Sequence, residues 1–564
     1  MKNMRLARIH PAKEIALARP HITVVNFYPI FPFNHGGKLA IRDFYKALSE
    51  WFDITVVCLC GYHDIFVKDI RLTPHLNIVS LPLPKELEGI DQQIQIEYQT
   101  GKRCEPTVLM SIIRSGHYCT ALIDPLREII QKSAIVITEH IYAYRLVQAV
   151  ASIKPIWYRA QNVEYDYKQA TWGIYNVPQS AYDEIFELEK ECCQNSDLTL
   201  TITEQDAVRF QELYGISSEK ILNISAGYDI GSANFVLPSR RKITETKKVH
   251  VLYISSSAQV AVDAANQIVA TALDFPDVMF IIAGSVGTKI ATDNLPDNVK
   301  ILGLVSDAKK AELLEACDFA LNPIVGGSGL NIKMLEYFAY GIPVICTEFG
   351  ARGIAVEDGV NCLITEIESL GDSITRFLSL SAGERDAIAQ NAYSLYINNY
   401  TWRNCAMKAV SYTERELRIP LRDNVAKPEE LELIKYPDKE SYIPKGMVYI
   451  YGAGEWGTSC LSFLSNLGVT PVSFFDRDKT KWGKQIKGTV IRPPDLTFDT
   501  DSDYIVIFAL EDFVDAIKFM VAKGLNLENV VIAFNGTELF RLYDGEGAFP
   551  YYMDINKIKG EVGA

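Results

Sequence analysis

No apolar run in this sequence approaches the roughly 18 residues that a membrane-spanning helix needs, and its start carries no signal peptide with a cleavage site. A reduced, cytoplasmic setting is the expectation that follows. Long basic runs are also missing. With a formal net charge of −14, the chain lacks the clustered Lys and Arg that grip a phosphate backbone, which argues against nucleic acid as a partner. Cysteine is sparse: eleven residues, an odd number spread over 564, make no disulfide framework, and Cys58/Cys60 and Cys192/Cys193 have no companion ligands at zinc spacing. No metal is expected.

What is present is ordinary globular chemistry. Hydrophobic residues make up 48% of a chain long enough for three or four domains, which fits packed cores and excludes a disordered protein. Polar stretches such as SRRKITETKK, and the proline-punctuated LRDNVAKPEELELIKYPDKESYIPKG, read as linkers. The division they suggest is an extension at 1–20, a first domain at 21–235, a second at 236–400, a return helix and linker at 401–445, and a third unit at 446–564. In the extension, Lys2, Arg5, Arg8, Lys13 and Arg19 stand against the single acid Glu14. That segment reads as a mobile tail or as a peripheral contact with an anionic membrane surface.

Three physical devices converge between Pro323 and Ile354. A short apolar run ending at Asn322-Pro323 reads as a buried strand; Gly326, Gly327, Ser328 and Gly329 follow as a loop; Leu330, Met334 and Phe338 then recur at helical spacing until Gly341. Such a loop lets backbone N–H groups approach an anion, and the helix start adds about half a unit of positive charge. Lys333 and Glu336, three residues apart, share a helix face near that start. A cation there reaches a diphosphate, and a carboxylate accepts from a ribose diol. The same pair also fits a solvated helix-face ion pair.

The order G-S-G, Lys333, Glu336, Ala339, Gly341, Pro343-Val344 and Gly350-Ala351-Arg352-Gly353 resembles the donor-binding segment of family 4 glycosyltransferases. The resemblance implies an α/β protein with two Rossmann-like domains facing a cleft, the GT-B arrangement, over about residues 21–418. It implies that Glu336 binds the ribose of a nucleotide-sugar. The 326–329 loop, Leu330, Asn331 and Lys333 would handle the diphosphate, with Arg352 as a second cation. Two positions depart from the pattern: Ser328 stands where many members have a glutamate, and Asn331 where the G-S-G subgroup often has arginine. Sugar identity is left open. Members also place arginine and lysine after the first strand of this domain, where this chain has Ser255-Ser256-Ser257, with Gly284-Ser285 after the next strand.

The first domain opens with the apolar run ITVVNFYPI, then Gly36 and Gly37 where a GT-B chain usually has a glycine loop at the cleft, then a helical pattern from Lys38 to Trp51 and the strand ITVVCL. Further strands are expected at LNIVSL, AIVITE, IWYRA, LTLTIT and ILNIS. Strands alternating with helices imply a parallel sheet whose ligands gather at the strand C-terminal ends. Two of those ends are polar: Glu139-His140, and Gln161-Asn162-Val163-Glu164, which resembles the His-Asn-Val-Glu segment of several family members. His140 faces the transferred sugar or acceptor on that reading, or is a satisfied structural group. Gly227 and Asp229 occupy the family's Gly-x-Asp. VHVLYI, VMFIIAG, VKILG, DFALNP and PVICTE are expected as the strands of the second domain. The helical stretch Ala382 to Arg418, with Tyr400, Trp402 and Tyr412, is expected to pack back on the first domain.

In the third unit, Gly452, Gly454 and Gly457 form G-x-G-x-x-G directly after the strand MVYIY and at a helix start, and the next strand ends in Asp476. This is a smaller Rossmann-like unit, half of such a sheet, and a nucleotide, NAD or no ligand all fit it. Taken together, the expected activity is transfer of a sugar from a nucleotide diphosphate-sugar to a glycan, lipid-linked or protein acceptor, with retention and with no required cofactor or metal. Lys333, Glu336 and His140 are the catalytic candidates. The alternatives are a non-catalytic sugar-nucleotide scaffold or sensor, and an NAD-linked enzyme centred on Gly452.

Overall fold

The computed structural model describes residues 19–31, 33, 36–60, 69–151, 153–229, 235–241, 248–291, 295–327, 329–421, 425–433, 446–466, 468–494, 504–510, 513–534, 538–543 and 552–554. Ser328, the basic extension up to residue 18 and most of both linkers lie outside these.

Three parallel-rich sheets organise the chain. The first runs in the order Asp69–Thr73, Leu76–Pro82, Asp53–Cys60, His21–Asn26, Ile135–Glu139, Ile156–Arg159, Leu198–Thr201, Ile221–Asn223. All seven expected strands are present and parallel, and one unexpected antiparallel strand, Asp69–Thr73, closes the edge. Its sequence, DIRLT, has too few apolar residues to announce a strand, and it forms by pairing with Leu76–Pro82. Every residue of Ile135–Glu139 is buried, as in a sheet covered on both faces.

The second sheet is ordered Val299–Gly303, Val278–Ala283, Val249–Ile254, Phe319–Asn322, Val344–Cys346, Leu363–Ile364, all parallel. Its order reverses between Val249–Ile254 and Phe319–Asn322, the place where a doubly wound sheet opens a crevice. The helices Gln259–Ala272 and Asp307–Ala316 connect these strands, and Ile332–Ala339 falls on the segment whose helical spacing is read from Leu330, Met334 and Phe338. Arg241, near the start of the polar segment SRRKITETKK, donates to the carbonyls of Leu314 and Cys317 and to that of Tyr340, and so satisfies orphan groups at the ends of two of these helices.

Of the stretch expected to pack back on the first domain, the helix Trp402–Tyr412 does so, whereas the helix Ala382–Asn399 before it, with Tyr400, packs on the second domain against Ile332–Ala339. Trp402 sits against Phe44 with ring centroids 6.4 Å apart, Tyr412 against Trp157 at 5.7 Å, and Arg403 forks onto Glu50. The Gly-x-Asp segment seats its start: a Cβ on Gly227 would lie 2.7 Å from the Trp402 nitrogen, and Asp229 Oδ1 accepts from that same N–H at 3.2 Å. The aromatics of this stretch are packing groups.

The third sheet is larger than half a Rossmann sheet. Its core order is Thr489–Arg492, Ser473–Phe475, Met447–Tyr451, Tyr504–Phe508, Val530–Phe534, all parallel, extended at one edge by Gln485–Ile486 and at the other by Glu538–Tyr543 and Tyr552–Asp554. The added strands are two to six residues long, too short for periodicity to reveal.

Candidate active site

A chamber of about 680 Å³ lies between the first two domains. The first domain contributes Gly36, Gly37, His140, Gln161, Asn162 and Glu164 to its wall; the second contributes Gly329, Leu330, Asn331 and Lys333. Residues chosen at strand ends hundreds of positions apart therefore meet. Gly36 and Gly37 do not form a loop: they are the first two residues of the helix Gly36–Leu48. Without side chains, they leave the unpaired amides of that helix start open to the chamber.

On the opposite wall, the helix Ile332–Ala339 begins directly after the glycine loop, with Asn331 as its N-cap. Gly329 (φ 65°) presses close to the first domain, its missing Cβ 3.7 Å from the Gln161 carbonyl. Lys333 is held at the base of the chamber. Its Nζ donates to Ser255 Oγ at 2.7 Å and lies 5.0 Å over the Tyr253 ring. No carboxylate faces it among the described residues, and burial lowers its pKa from 10.5 to about 7. A half-buried ammonium with only a hydroxyl and an aromatic face for company is poised for an anion. The serine loop thus orients the lysine rather than replacing the missing cations.

His140 is fixed from behind. Its backbone has φ 62°, rare for a residue with a side chain, and its Nδ1 meets Glu164 Oε1 at 2.6 Å. Burial alone would raise the Glu164 carboxyl, yet His140, Lys168 and the Tyr142 hydroxyl, 2.5 Å from Oε2, bring it well below the ordinary range. A charged Glu164 makes Nδ1 the protonated nitrogen. Nε2 then has no protein partner, and His140 lines the chamber. Gln161 donates to Glu139, which also takes Arg159 at 2.6 Å and the Tyr45 hydroxyl at 2.5 Å. Under the dyad, Glu189 receives the Glu164 and Tyr165 amides and the Tyr158 and Tyr214 hydroxyls, which caps the helix Glu164–Thr171; burial first, and Glu164 second, push its carboxyl up to about 7.

Other candidates lie elsewhere. Glu336 does not line the chamber: its Oε1 accepts from Tyr228 Oη at 2.9 Å and pairs with Lys310 Nζ at 2.6 Å. Residues three apart on a helix differ by some 60° in direction, enough to send Lys333 and Glu336 to different neighbours. Arg352 reaches across the cleft to Asp206 Oδ1 at 2.6 Å. Gly326 sits against Val260, and Gly327 lines a separate cavity beside it. Gly284 stands at the end of Val278–Ala283 and bears on the Ser255 carbonyl. Lys168 and its partner Glu105, paired at 2.6 Å, line the chamber unannounced; they stand 63 positions apart and share no motif.

In the third unit, a cavity of about 520 Å³ is bordered by Gly452, Gly454 and Asp476. Gly457 is required by contact, since a Cβ there would fall 1.8 Å from the Gly452 carbonyl. Asp476, however, is already engaged. Its Oδ2 accepts from the Ala453 amide at 2.9 Å and Lys481 Nζ at 3.0 Å, and its Oδ1 from the Asp478 amide at 2.8 Å. The acid that a dinucleotide fingerprint offers to ribose braces its own loop here. Among the described residues no group of three His, Cys, Asp or Glu is arranged for a metal ion, and no helix is long and apolar enough to cross a membrane.

Two doubly wound sheets facing a cleft, with a glycine loop and helix start on one wall, make the GT-B fold. Residues 250–380 match the family Glycosyl transferases group 1. Over 135 residues the chain is 26% identical to the phosphatidyl-myo-inositol mannosyltransferase of Mycobacterium leprae, covering 23% of this chain and 35% of that one. Over 225 residues it is 24% identical to the D-inositol 3-phosphate glycosyltransferase of Rhodococcus erythropolis, covering 34% and 50%. The matches thus span half or less of these relatives' lengths. The solved sucrose-phosphate synthase of Thermosynechococcus elongatus superposes with a TM-score of 0.53 at 13% identity, covering 71% of this chain and all of that one, and shares the fold.

Proposed function

We propose that the chain transfers a sugar from a nucleoside diphosphate-sugar to a hydroxyl of a glycan, lipid-linked or protein acceptor, with retention of configuration and without a metal ion. The observation that carries this reading is Lys333, a half-buried cation with no carboxylate partner among the described residues, set at a helix start beside a glycine loop in an inter-domain chamber. The two curated relatives are named as a mannosyltransferase and a glycosyltransferase, and residues 250–380, which include Lys333, match the family Glycosyl transferases group 1.

The diphosphate sits on the loop amides and Lys333, which stabilise the charge that grows as the anomeric carbon–oxygen bond breaks. The acceptor oxygen attacks from the face the diphosphate leaves. The bonding pair departs with the phosphate oxygen, and that oxygen takes the acceptor proton, so no separate base is needed. His140, with Nδ1 committed to Glu164, offers Nε2 as an acceptor for a sugar hydroxyl. Glu336 stands outside the chamber, so in this reading the nucleoside extends past the start of the helix Ile332–Ala339 to reach it, and the ribose diol meets Oε2, because the Tyr228 and Lys310 contacts both fall on Oε1.

Thermal unfolding with UDP, GDP, ADP and NAD(H) tests the reading. One nucleoside diphosphate at 100 times its dissociation constant should stabilise the chain by about 2.7 kcal/mol. Stabilisation by NAD(H) alone, or by no nucleotide, would remove it. Glu336→Ala should lower the affinity for that nucleotide by about tenfold, read by calorimetry; unchanged affinity would detach Glu336 from the ribose.

A further inference from the structure

Beside the chamber that holds Lys333 lies a second cavity of about 860 Å³, also walled by both domains. Tyr167 lines both, and the glycine loop separates them, with Gly327 on one side and Gly329 on the other. The second cavity therefore opens beside the proposed point of transfer.

Its chemistry is the reverse of the first. Asp166, Asp206, Glu348 and Glu366 set four carboxylates against the two guanidiniums of Arg209 and Arg352, and both guanidiniums are already paired, with Asp166 and Asp206. Val163, Val260, Val325 and Phe349 supply apolar surface between them. Among the described residues no uncommitted cation is available to a phosphate here.

One group in this wall lacks a partner. Asp206 is 4% exposed and gives Oδ1 to Arg352, while its Oδ2 accepts no hydrogen bond. Burial lifts this carboxyl above its ordinary range against the pull of Arg352 and Thr203. A buried carboxylate oxygen left open costs stability unless a ligand donates to it. Arg352 and Asp206 span the two domains, so the open oxygen is held at their junction. A sugar fits this surface, with hydroxyls for the carboxylates and C–H faces for the valines and Phe349.

We propose that this second cavity binds an uncharged saccharide portion of the acceptor, with Asp206 Oδ2 accepting from one of its hydroxyls. The proposal rests on the transferase reading and names its acceptor class: neutral carbohydrate, not a sugar phosphate or acidic sugar.

Saturation-transfer NMR on the full chain, with the stabilising nucleoside diphosphate present, tests it. Maltose and cellobiose serve as neutral probes, and glucose 6-phosphate and glucuronic acid as anionic ones. A neutral disaccharide should bind at least tenfold more tightly than either anion. Ala170→Trp, an exposed helix position on the cavity wall, should weaken that binding at least tenfold and leave nucleotide affinity within twofold. Asp206→Asn should weaken it about tenfold. Equal or tighter binding of glucose 6-phosphate, saccharide binding indifferent to Ala170→Trp, or no neutral saccharide binding at about 10 mM would overturn the proposal. Failure of every nucleotide to stabilise the chain overturns the transferase reading instead, because the thermal assay is read without saccharide.

Discussion

Lys333→Met should lower nucleoside diphosphate affinity on the order of a hundredfold, about 3 kcal/mol, and should abolish turnover with it. Removing an ordinary surface lysine would do neither. This one is half-buried with its Nζ on Ser255 Oγ and no carboxylate opposite among the described residues, so the diphosphate of the proposed donor would be the counter-ion that its site lacks. The unliganded protein should respond in the other direction. Burial lowers the Lys333 pKa from 10.5 to about 7. Between those values the unfolded chain binds a proton that the folded chain does not, so this group's contribution to stability rises with pH from 7 to 10, and its full burden is felt below 7. A drop of that size corresponds to at most about 5 kcal/mol. Lys333→Met without nucleotide should therefore melt higher than the wild type at pH 6, by a margin that shrinks towards pH 10.

The sign carries over to binding. A bound diphosphate favours the ammonium, so nucleotide binding at pH 8 should take up close to one proton, and affinity should fall about tenfold per pH unit above 7. Calorimetry in buffers of different ionisation enthalpy measures that proton directly. Binding without proton uptake, together with an unchanged affinity in Lys333→Met, would place the diphosphate elsewhere.

Gly284→Ala is the second large effect. Gly284 has φ 95° and ψ −180°, a conformation open only to glycine, and its Cβ would lie 2.2 Å from the Ser255 carbonyl oxygen. Two penalties coincide, and the backbone atom it meets belongs to the loop that seats Lys333. The neighbouring hydrogen bonds, Gly284 N to the Gly303 carbonyl at 2.7 Å and Val286 N to the Ser255 carbonyl at 3.2 Å, leave little room for retreat. The substitution should cost at least about 3 kcal/mol, visible as a lowered melting temperature, and should weaken nucleotide binding by displacing Ser255. Gly383→Ala, at a helical position with nothing within 4 Å of its Cβ, is the control and should be neutral or slightly stabilising.

Much of this architecture is written locally. Runs such as ITVVCL and VMFIIAG are apolar because both faces of a parallel sheet are covered, so the strands and the helices between them follow from composition and period alone. The glycine loop, the helix start after it and the presence of Lys333 at that start are local features too, spaced within one short segment. The sequence by itself therefore determined the strands and helices of three parallel-sheet units, and the glycine loop and helix start that carry Lys333.

Tertiary structure decided what each polar group touches. The partner of Lys333 is 78 residues away, that of His140 is 24 away and that of Arg352 is 146 away. Sheet order and domain packing set those pairings, and no periodicity encodes them. For that reason Glu336 turns from the chamber to Tyr228 and Lys310, Arg352 bridges the domains, and Asp476 braces its own turn. A charged side chain in sequence is only a charge; the fold supplies the burial and the neighbour that decide whether it is paired off or left waiting for a ligand.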